Sequence, residues 1–215
     1  MSDKVAPRST FRLERVAALT DGVFAIAITL LVLDVKVPLH SEGDEGSVLR
    51  ALLGQKEEFT AWVISFVLIA RLWMDIHDAL ATLKFCDGVQ LMLNFALLAG
   101  CSMIPFAAAL VGVHPGELMV TVIFACVQTT NGVLIGVFNR RAHAAGLHAV
   151  PESDDIAARY TNGSYHLAVY PAVGVFSIML AYVANPLVGI VAWLAEPTVA
   201  AIVALRRDHM ATPPG

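Results

Sequence analysis

The residues of this chain that could form ion pairs or exchange protons lie mostly at the ends of long apolar segments. Arg15 and Asp21 lie at the start of the first apolar run, and Asp34 ends it. Ionisable groups near or inside a membrane are usually paired or face water. Because Arg15 and Asp21 are six residues apart, they lie on different faces of a helix and each needs a partner from another helix.

Candidate partners lie between the second and third apolar segments. They are Asp75, His77, Asp78 and Asp87. We predict a polar network that fixes the first helix against the second and third, with His77 as a hydrogen-bonding member rather than a metal ligand or a titrating sensor.

Two further charges fall inside or at the end of apolar segments. Arg71 is near the end of the second segment, and we expect its long side chain to reach the membrane interface. Glu196, followed by Pro197, interrupts the last segment and is expected to face a buried partner or a water-filled crevice. No nucleophile–base pair, phosphate loop or basic nucleic-acid patch is visible, so we expect no enzyme, no cofactor and no nucleic-acid partner.

Composition places the chain in a membrane. Of its 215 residues 57% are hydrophobic and 15% are charged, with a mean hydropathy of +0.70, whereas soluble domains carry about 25% charge. We predict one all-α domain over residues 1–215 with six transmembrane crossings, each long enough for a bilayer. They run over about 16–37, 58–74, 88–111, 118–138, 165–183 and 187–205, and residues 206–215 are expected to form a disordered tail.

The distribution of Lys and Arg predicts the orientation. With a cytoplasmic N-terminus, only Lys36, Arg50 and Lys56 fall on the opposite side. An even number of crossings also returns the C-terminus, with its Arg206-Arg207 pair, to the cytoplasm. The opposite side is acidic, which would raise the local concentration of cations if those loops surround a mouth; ordinary solvated loop charge is the alternative.

The first apolar run carries two neighbouring stripes. Ile26, Leu30 and Leu33 share a narrow arc at helical spacing. Beside it lies a stripe of small residues, which lets helix backbones approach closely in lipid; its members are Ala18, Gly22, Ala25 and Thr29. The pattern alone leaves open whether the branched arc meets lipid, packs in the bundle or lines a pore.

Residues 15–38, RVAALTDGVFAIAITLLVLDVKVP, resemble the first-helix signature of the transmembrane protein 175 family of potassium channels. In that signature an Arg is followed four residues later by Phe-Ser-Asp-Gly and then by an apolar helix. Supporting matches elsewhere are Trp73 with His77, Asp87, Asn94 and Pro105-Phe106. The resemblance places Trp73 in the predicted polar network.

The chain departs from the family pattern at two places. Leu19-Thr20 stands where the signature has Phe-Ser, and His77-Asp78 stands where the family has a His-His pair. Thr20 keeps a hydroxyl and Leu19 keeps apolar bulk, so we expect the entry to the first helix to be preserved.

The resemblance implies a homotetramer in the bacterial cell membrane, with four first helices around a central pore. It implies that Ile26, Leu30 and Leu33 face the pore as a hydrophobic gate, with Thr29 as a hydroxyl layer. The implied function is a potassium-permeable cation leak channel, weakly selective over sodium, whose partners are the lipid bilayer and monovalent cations. A small proton-coupled secondary transporter is the alternative, hinted at only by the break at Glu196-Pro197.

Overall fold

The computed structural model describes residues 11–35, 50, 52–148 and 163–200. The described chain is all-helical apart from two isolated β-bridges. Its helices are α1 (Leu13–Leu30, followed by a 3-10 turn at Leu31–Asp34), α2 (Lys56–Ala81), α3 (Gly88–Val113), α4 (Leu118–Ala144), α5 (Ser164–Val183) and α6, which begins with Pro186–Val191 and continues through a 3-10 turn at Ala192–Leu194 to Ala200.

Five of these helices are long and apolar enough to cross a membrane. They contain 20 to 27 residues, which at about 1.5 Å per residue spans the hydrocarbon core of a bilayer. The predicted all-α membrane fold is therefore confirmed for the described residues. The apolar helix over residues 186–200 is shorter, and the last part of the predicted sixth crossing, 201–205, lies outside the described residues, as does the predicted tail 206–215.

Several helices end elsewhere than the hydropathy pattern predicts. The predicted second crossing covers 58–74, whereas the helix α2 continues to Ala81. The reason is that apolar residues keep their helical spacing past Asp75, so that Ile76, Ala79 and Leu80 are buried against the rest of the bundle. The first helix ends earlier than Val37, because the α-helix gives way to a 3-10 turn at Leu31.

Local signals in the sequence start α3 and α6. The carboxylate of Asp87 accepts a hydrogen bond of 2.9 Å from the backbone N–H of Gln90 and caps α3. Asn185 caps α6 in the same way through the N–H of Leu187, at 2.8 Å, and Pro186 occupies the first helical position.

The connections on the side of the α1 N-terminus are tied together by backbone hydrogen bonds. The N–H of Phe11 donates to the carbonyl of Cys86, and the N–H of Lys84 donates to the carbonyl of Leu147, each at 2.8 Å. The loop between α2 and α3 thus lies between the segment that precedes α1 and the residues that follow α4.

Two apolar clusters form the core of the described helices. The first joins α1, α2, α3 and α4 around Phe24, Ile69 and Phe138. The second joins α2, α3, α4, α5 and α6 around Phe124 and Trp193. Helix α1 contributes buried residues only to the first cluster.

The helices α4 and α5 approach closely at Gly132. A Cβ atom at this position would lie 1.9 Å from the ring of Tyr170, whereas a Cβ atom at Gly88, in the first turn of α3, meets nothing within 4 Å. The contact between α4 and α5 therefore requires glycine at Gly132.

Replacing Gly132→Ala should destabilise the purified protein by about 1–3 kcal/mol, because the Tyr170 ring must shift to make room. Thermal unfolding in detergent measures this effect. The matched variant Gly88→Ala should stay within about 0.5 kcal/mol of the parent. Equal melting temperatures for the two variants would show that α4 and α5 separate at no cost.

Candidate pore face and its polar anchors

One face of α1 is left uncovered by the other described residues of the chain. Ile26 is 61% exposed, Leu30 44% and Leu33 71%, the three residues of the predicted arc. The small residues beside them are also exposed; they are Ala18, Gly22, Ala25 and Thr29. The opposite face is buried against the rest of the chain; its residues are Val16, Thr20, Phe24, Ala27 and Leu31.

The hydroxyl of Thr29 has its hydrogen engaged within its own helix. It donates to the backbone carbonyl of Ile26 at 2.9 Å. A hydroxyl oxygen also accepts hydrogen bonds through two lone pairs. On the exposed face of α1 the Thr29 side chain therefore offers the lone pairs of its oxygen as acceptors, while its only donor hydrogen is already bound to the carbonyl of Ile26.

The side chain of Asp21 joins α1 to α2. Its carboxylate accepts a hydrogen bond of 2.8 Å from the indole Nε1–H of Trp73. The Trp73 ring in turn lies 5.1 Å from the ring of His77, measured between centroids. A cavity of about 300 Å³ between the two helices is lined in part by Asp21 and His77. The structure thus brings together Asp21, Trp73 and His77 of the predicted network.

A second polar contact joins α1 to α3 inside the bundle. The amide Nδ2 of Asn94 donates to the hydroxyl oxygen of Thr20 at 3.1 Å, and the same hydroxyl lies 2.9 Å from the carbonyl of Val16. Both Thr20 and Asn94 are buried. The hydroxyl that Thr20 retains from the family pattern is therefore an interhelical contact, absent from our predicted network.

Asp87 lies at the same side of the bundle but pairs with α4. Its carboxylate oxygens contact the guanidinium of Arg141 at 2.8 and 2.5 Å. The Gln90 side chain joins this pair, accepting from Arg141 and donating to the carbonyl of Phe138. The hydrogen bonds from Arg141 hold the pKa of the Asp87 carboxyl below its usual value.

Two residues that we predicted as members of the network do not join the observed contacts of Asp21, Trp73 and His77. The side chains of Arg15 and Asp78 are exposed, and within the described ranges neither has an ion-pair partner. Asp75, which we considered as a partner for Arg15, is paired with Arg71 on its own helix. The predicted link from Arg15 to α2 is thus not formed within the described part of a single chain.

A buried cluster of ionisable residues was not predicted. Arg71 contacts Asp75 and Glu196, and Asp75 contacts His166. The expectation that Arg71 reaches the membrane interface is wrong, because its guanidinium pairs with two buried carboxylates inside the bundle. The spacing of Arg71 and Asp75, four residues apart on one helix, was the available signal.

Five long apolar helices around these contacts define a multi-pass α-helical membrane protein. Residues 15–105 match the family described as endosomal/lysosomal potassium channel TMEM175. Over this stretch, which is less than half of the chain, the sequence is similar to that family.

Similar proteins include two with the name potassium channel. A protein of Streptomyces collinus is 37% identical over 103 residues, which are 48% of this chain and 49% of that protein. A protein of Chamaesiphon minutus is 33% identical over 135 residues, 61% of this chain and 65% of that protein. The chain thus spans between about half and two thirds of the length of these relatives.

The fold is similar to that of a solved structure. The crystal structure of a lysosomal potassium-selective channel TMEM175 homolog from Chamaesiphon minutus superposes with a TM-score of 0.72 at 23% identity, covering 90% of this chain and 97% of that one. At this level of identity the likeness establishes the fold.

The variant Asp87→Asn should destabilise the protein by about 1 kcal/mol at neutral pH, because it keeps the helix cap but loses the charged contact with Arg141. Since folding lowers the pKa of Asp87, this stabilisation is present above the ordinary pKa of an aspartate, about 4, and is lost as the pH falls through the lower folded value.

Thermal unfolding at several pH values measures this difference. The parent and Asp87→Asn should therefore converge in acid. Asp78→Asn, at an exposed position on α2, is the control and should match the parent throughout. A gap between parent and Asp87→Asn that is the same at acidic and neutral pH would contradict a role for the charge.

Proposed function

We propose that the chain is the subunit of a potassium-permeable cation channel, in which four copies place the exposed faces of α1 around a central pore. The observation that carries the proposal is the uncovered arc of Ile26, Leu30 and Leu33 on the first helix. The names of the relatives, potassium channel in two bacteria, agree with it.

The composition of the exposed face favours contact with copies of the same helix. Lipid would accept the branched residues equally well, but the neighbouring stripe of Ala18, Gly22 and Ala25 offers lipid little surface to contact. Small residues let helix backbones approach closely, and this close packing drives helix association in membranes. A ring of α1 helices would use the small stripe for contact and present the branched stripe to the axis.

The proposed gate is hydrophobic. Rings of Ile26, Leu30 and Leu33 around a narrow axis would expel water, and an ion cannot enter a dry apolar constriction. Opening would require α1 to rotate or tilt, so that the rings widen and water returns. In this proposal cations enter partly hydrated from the acidic side of the membrane and leave at the side of the termini.

The hydrogen bonds of α1 to its own subunit would oppose such a rotation. The contact of Asp21 with Trp73 and that of Thr20 with Asn94 both fix the angle at which α1 presents its arc. They lie at the middle of the α-helix, about two turns after its start, whereas Leu33 lies in the terminal 3-10 turn. The end of α1 that carries Leu33 is therefore the part freer to move.

Selectivity is expected to be weak. The sequence contains no Thr-Val-Gly-Tyr-Gly segment, so no ring of backbone carbonyls of that kind replaces the hydration shell of the ion. The Thr29 hydroxyls, whose oxygen acceptors face outward on α1, would replace part of the hydration water. This arrangement gives a modest preference for potassium over sodium.

Replacing Leu33→Asn should raise the resting current in reconstituted bilayers about tenfold or more, the change that a barrier lowered by roughly 1.4 kcal/mol produces. The polar amide would wet the constriction. Val175→Asn is the matched control, because Val175 is 70% exposed on α5, on another face of the subunit.

The same current recordings also distinguish a channel from the alternative, a proton-coupled transporter. A channel gives unitary currents, whereas a carrier gives a saturating flux without them. Unchanged unitary currents in Leu33→Asn would remove this residue from the pore.

The variant Thr29→Val should lower the preference for potassium over sodium by several-fold, because it keeps the shape of the side chain and removes its oxygen. Reversal potentials under mixed potassium and sodium solutions measure this ratio. Thr198→Val is the control, since the Thr198 hydroxyl also donates to a carbonyl of its own helix, that of Leu194, but lies on α6. An unchanged ratio in Thr29→Val would assign the preference to another layer.

A further inference from the structure

Three exposed charges lie at the start of α1. They are Arg12, Glu14 and Arg15. None of them takes part in the ion pairs formed among the described residues. Side chains one or two residues apart on a helix do not face each other, so Glu14 cannot bind either arginine of its own chain. A partner for these charges must come from water, lipid head groups or another chain.

Arg12 and Glu14 lie on opposite flanks of the exposed face of α1. Because successive residues are about 100° apart around a helix, these two are about 200° apart. Asp21 lies about two turns after Glu14, on the same flank. Arg15 lies between the flanks, about five turns before Leu33, and shares its arc. The arc that we propose to face the pore therefore has an arginine on one flank and a glutamate on the other.

The backbone of Arg12 is held in place although this residue precedes the first helical position. Its carbonyl oxygen accepts hydrogen bonds from the N–H groups of Arg15 and Val16, at 3.1 and 3.2 Å. The N–H of the preceding residue, Phe11, is bound to the carbonyl of Cys86. The Arg12 side chain itself makes no capping hydrogen bond. Its guanidinium is thus available to a second molecule from a fixed position.

Glu14 lies beside a cavity that could receive such a side chain. Together with Asp21 and His77 it lines the cavity of about 300 Å³ between α1 and α2. Most of the other walls are apolar, among them Leu80 and Leu83. An arginine fits a surface of this kind, because its aliphatic stem packs on apolar walls while its guanidinium binds a carboxylate.

A closed ring of identical helices brings unlike flanks together. Every interface in such a ring is head-to-tail, so one flank of each helix contacts the opposite flank of the next. Arg12 and Glu14 are two residues apart and differ by only about 3 Å in height along the helix axis. The small stripe begins with Ala18, four residues after Glu14 and on its flank, where it lets the backbones approach closely. At each interface the ring therefore places Arg12 of one chain beside Glu14 of the next.

We propose that Arg12 of each subunit binds Glu14 of the neighbouring subunit at the cavity between α1 and α2. Four such ion pairs close the ring at the start of α1. The pair rests on the proposed function, because it requires four α1 helices around one axis. Arg15 faces the axis in this arrangement and takes no part in the pair.

Exchange of the two charges in the full-length protein tests the pair. Arg12→Glu and Glu14→Arg should each weaken the tetramer, since each places like charges at every interface, and the double variant should restore it. A factor of about two for each exposed ion pair multiplies to about sixteenfold over the four interfaces. Light scattering of the protein in detergent, over a dilution series, measures the tetrameric fraction.

The matched control is Arg15→Glu, which makes the same change of charge about one turn further along the helix. Glu14→Arg should restore the tetramer in Arg12→Glu and should not restore it in Arg15→Glu. Equal restoration of both variants would show that only the net charge at the start of α1 matters, and this result would overturn the pair.

Cross-linking tests the geometry of the interface directly. A chain with both Arg12→Cys and Glu14→Cys, treated with a short thiol-specific cross-linker, should give products of two, three and four linked chains. Each single substitution should give no products beyond those of the parent, which carries the exposed Cys126. Products that stop at two chains would indicate a two-fold dimer and would overturn both the ion pair and the proposed ring.

A different result separates the ion pair from the proposed channel. If the parent is a tetramer but the double charge exchange is as weak as the single variants and the two cysteines give no ladder, the ion pair is wrong. Arg12 and Glu14 then contact water or lipid head groups, and the proposed pore face on α1 is unaffected.

Discussion

The angle of α1 about its own axis determines which residues the subunit buries and which it leaves exposed. Two hydrogen bonds set this angle, one from Trp73 to Asp21 and one from Asn94 to Thr20. The contact between Asn94 and Thr20 is buried, so water does not compete for it, whereas Asp21 is exposed. A different rotation would bury Ile26 or Leu33 within the subunit and expose Phe24. The exposed arc therefore follows from these two polar contacts together with the apolar packing of Phe24, Ala27 and Leu31 on the opposite face.

The fold could be predicted largely from hydropathy, because long apolar segments in a membrane have few alternatives to helices. The branched arc and the small-residue stripe of α1 could also be predicted, since the helical period places residues of each kind on a separate stripe. The ends of helices were predicted less well. The predicted second crossing stops at residue 74, but Asp75 is buried and paired, and the helix continues to Ala81.

The sequence indicated which residues form polar contacts between helices, but not which residue each of them contacts. Asp87 was expected to help anchor α1, yet its partner is Arg141, 54 residues further along the chain. The contacts among Arg71, His166 and Glu196 depend on how α5 and α6 pack on α2, and periodicity within one helix carries no information about that packing. The i,i+4 spacing of Arg71 and Asp75 was a signal that could have been used.

The paired backbone of the loop between α2 and α3 has a mechanical consequence. Phe11 binds this loop from the segment ahead of α1, and Leu147 binds it from the segment after α4. A force applied ahead of Phe11 would therefore be divided between α1 and the loop that joins α2 to α3. An attachment at the amino terminus would load these helices together rather than α1 alone.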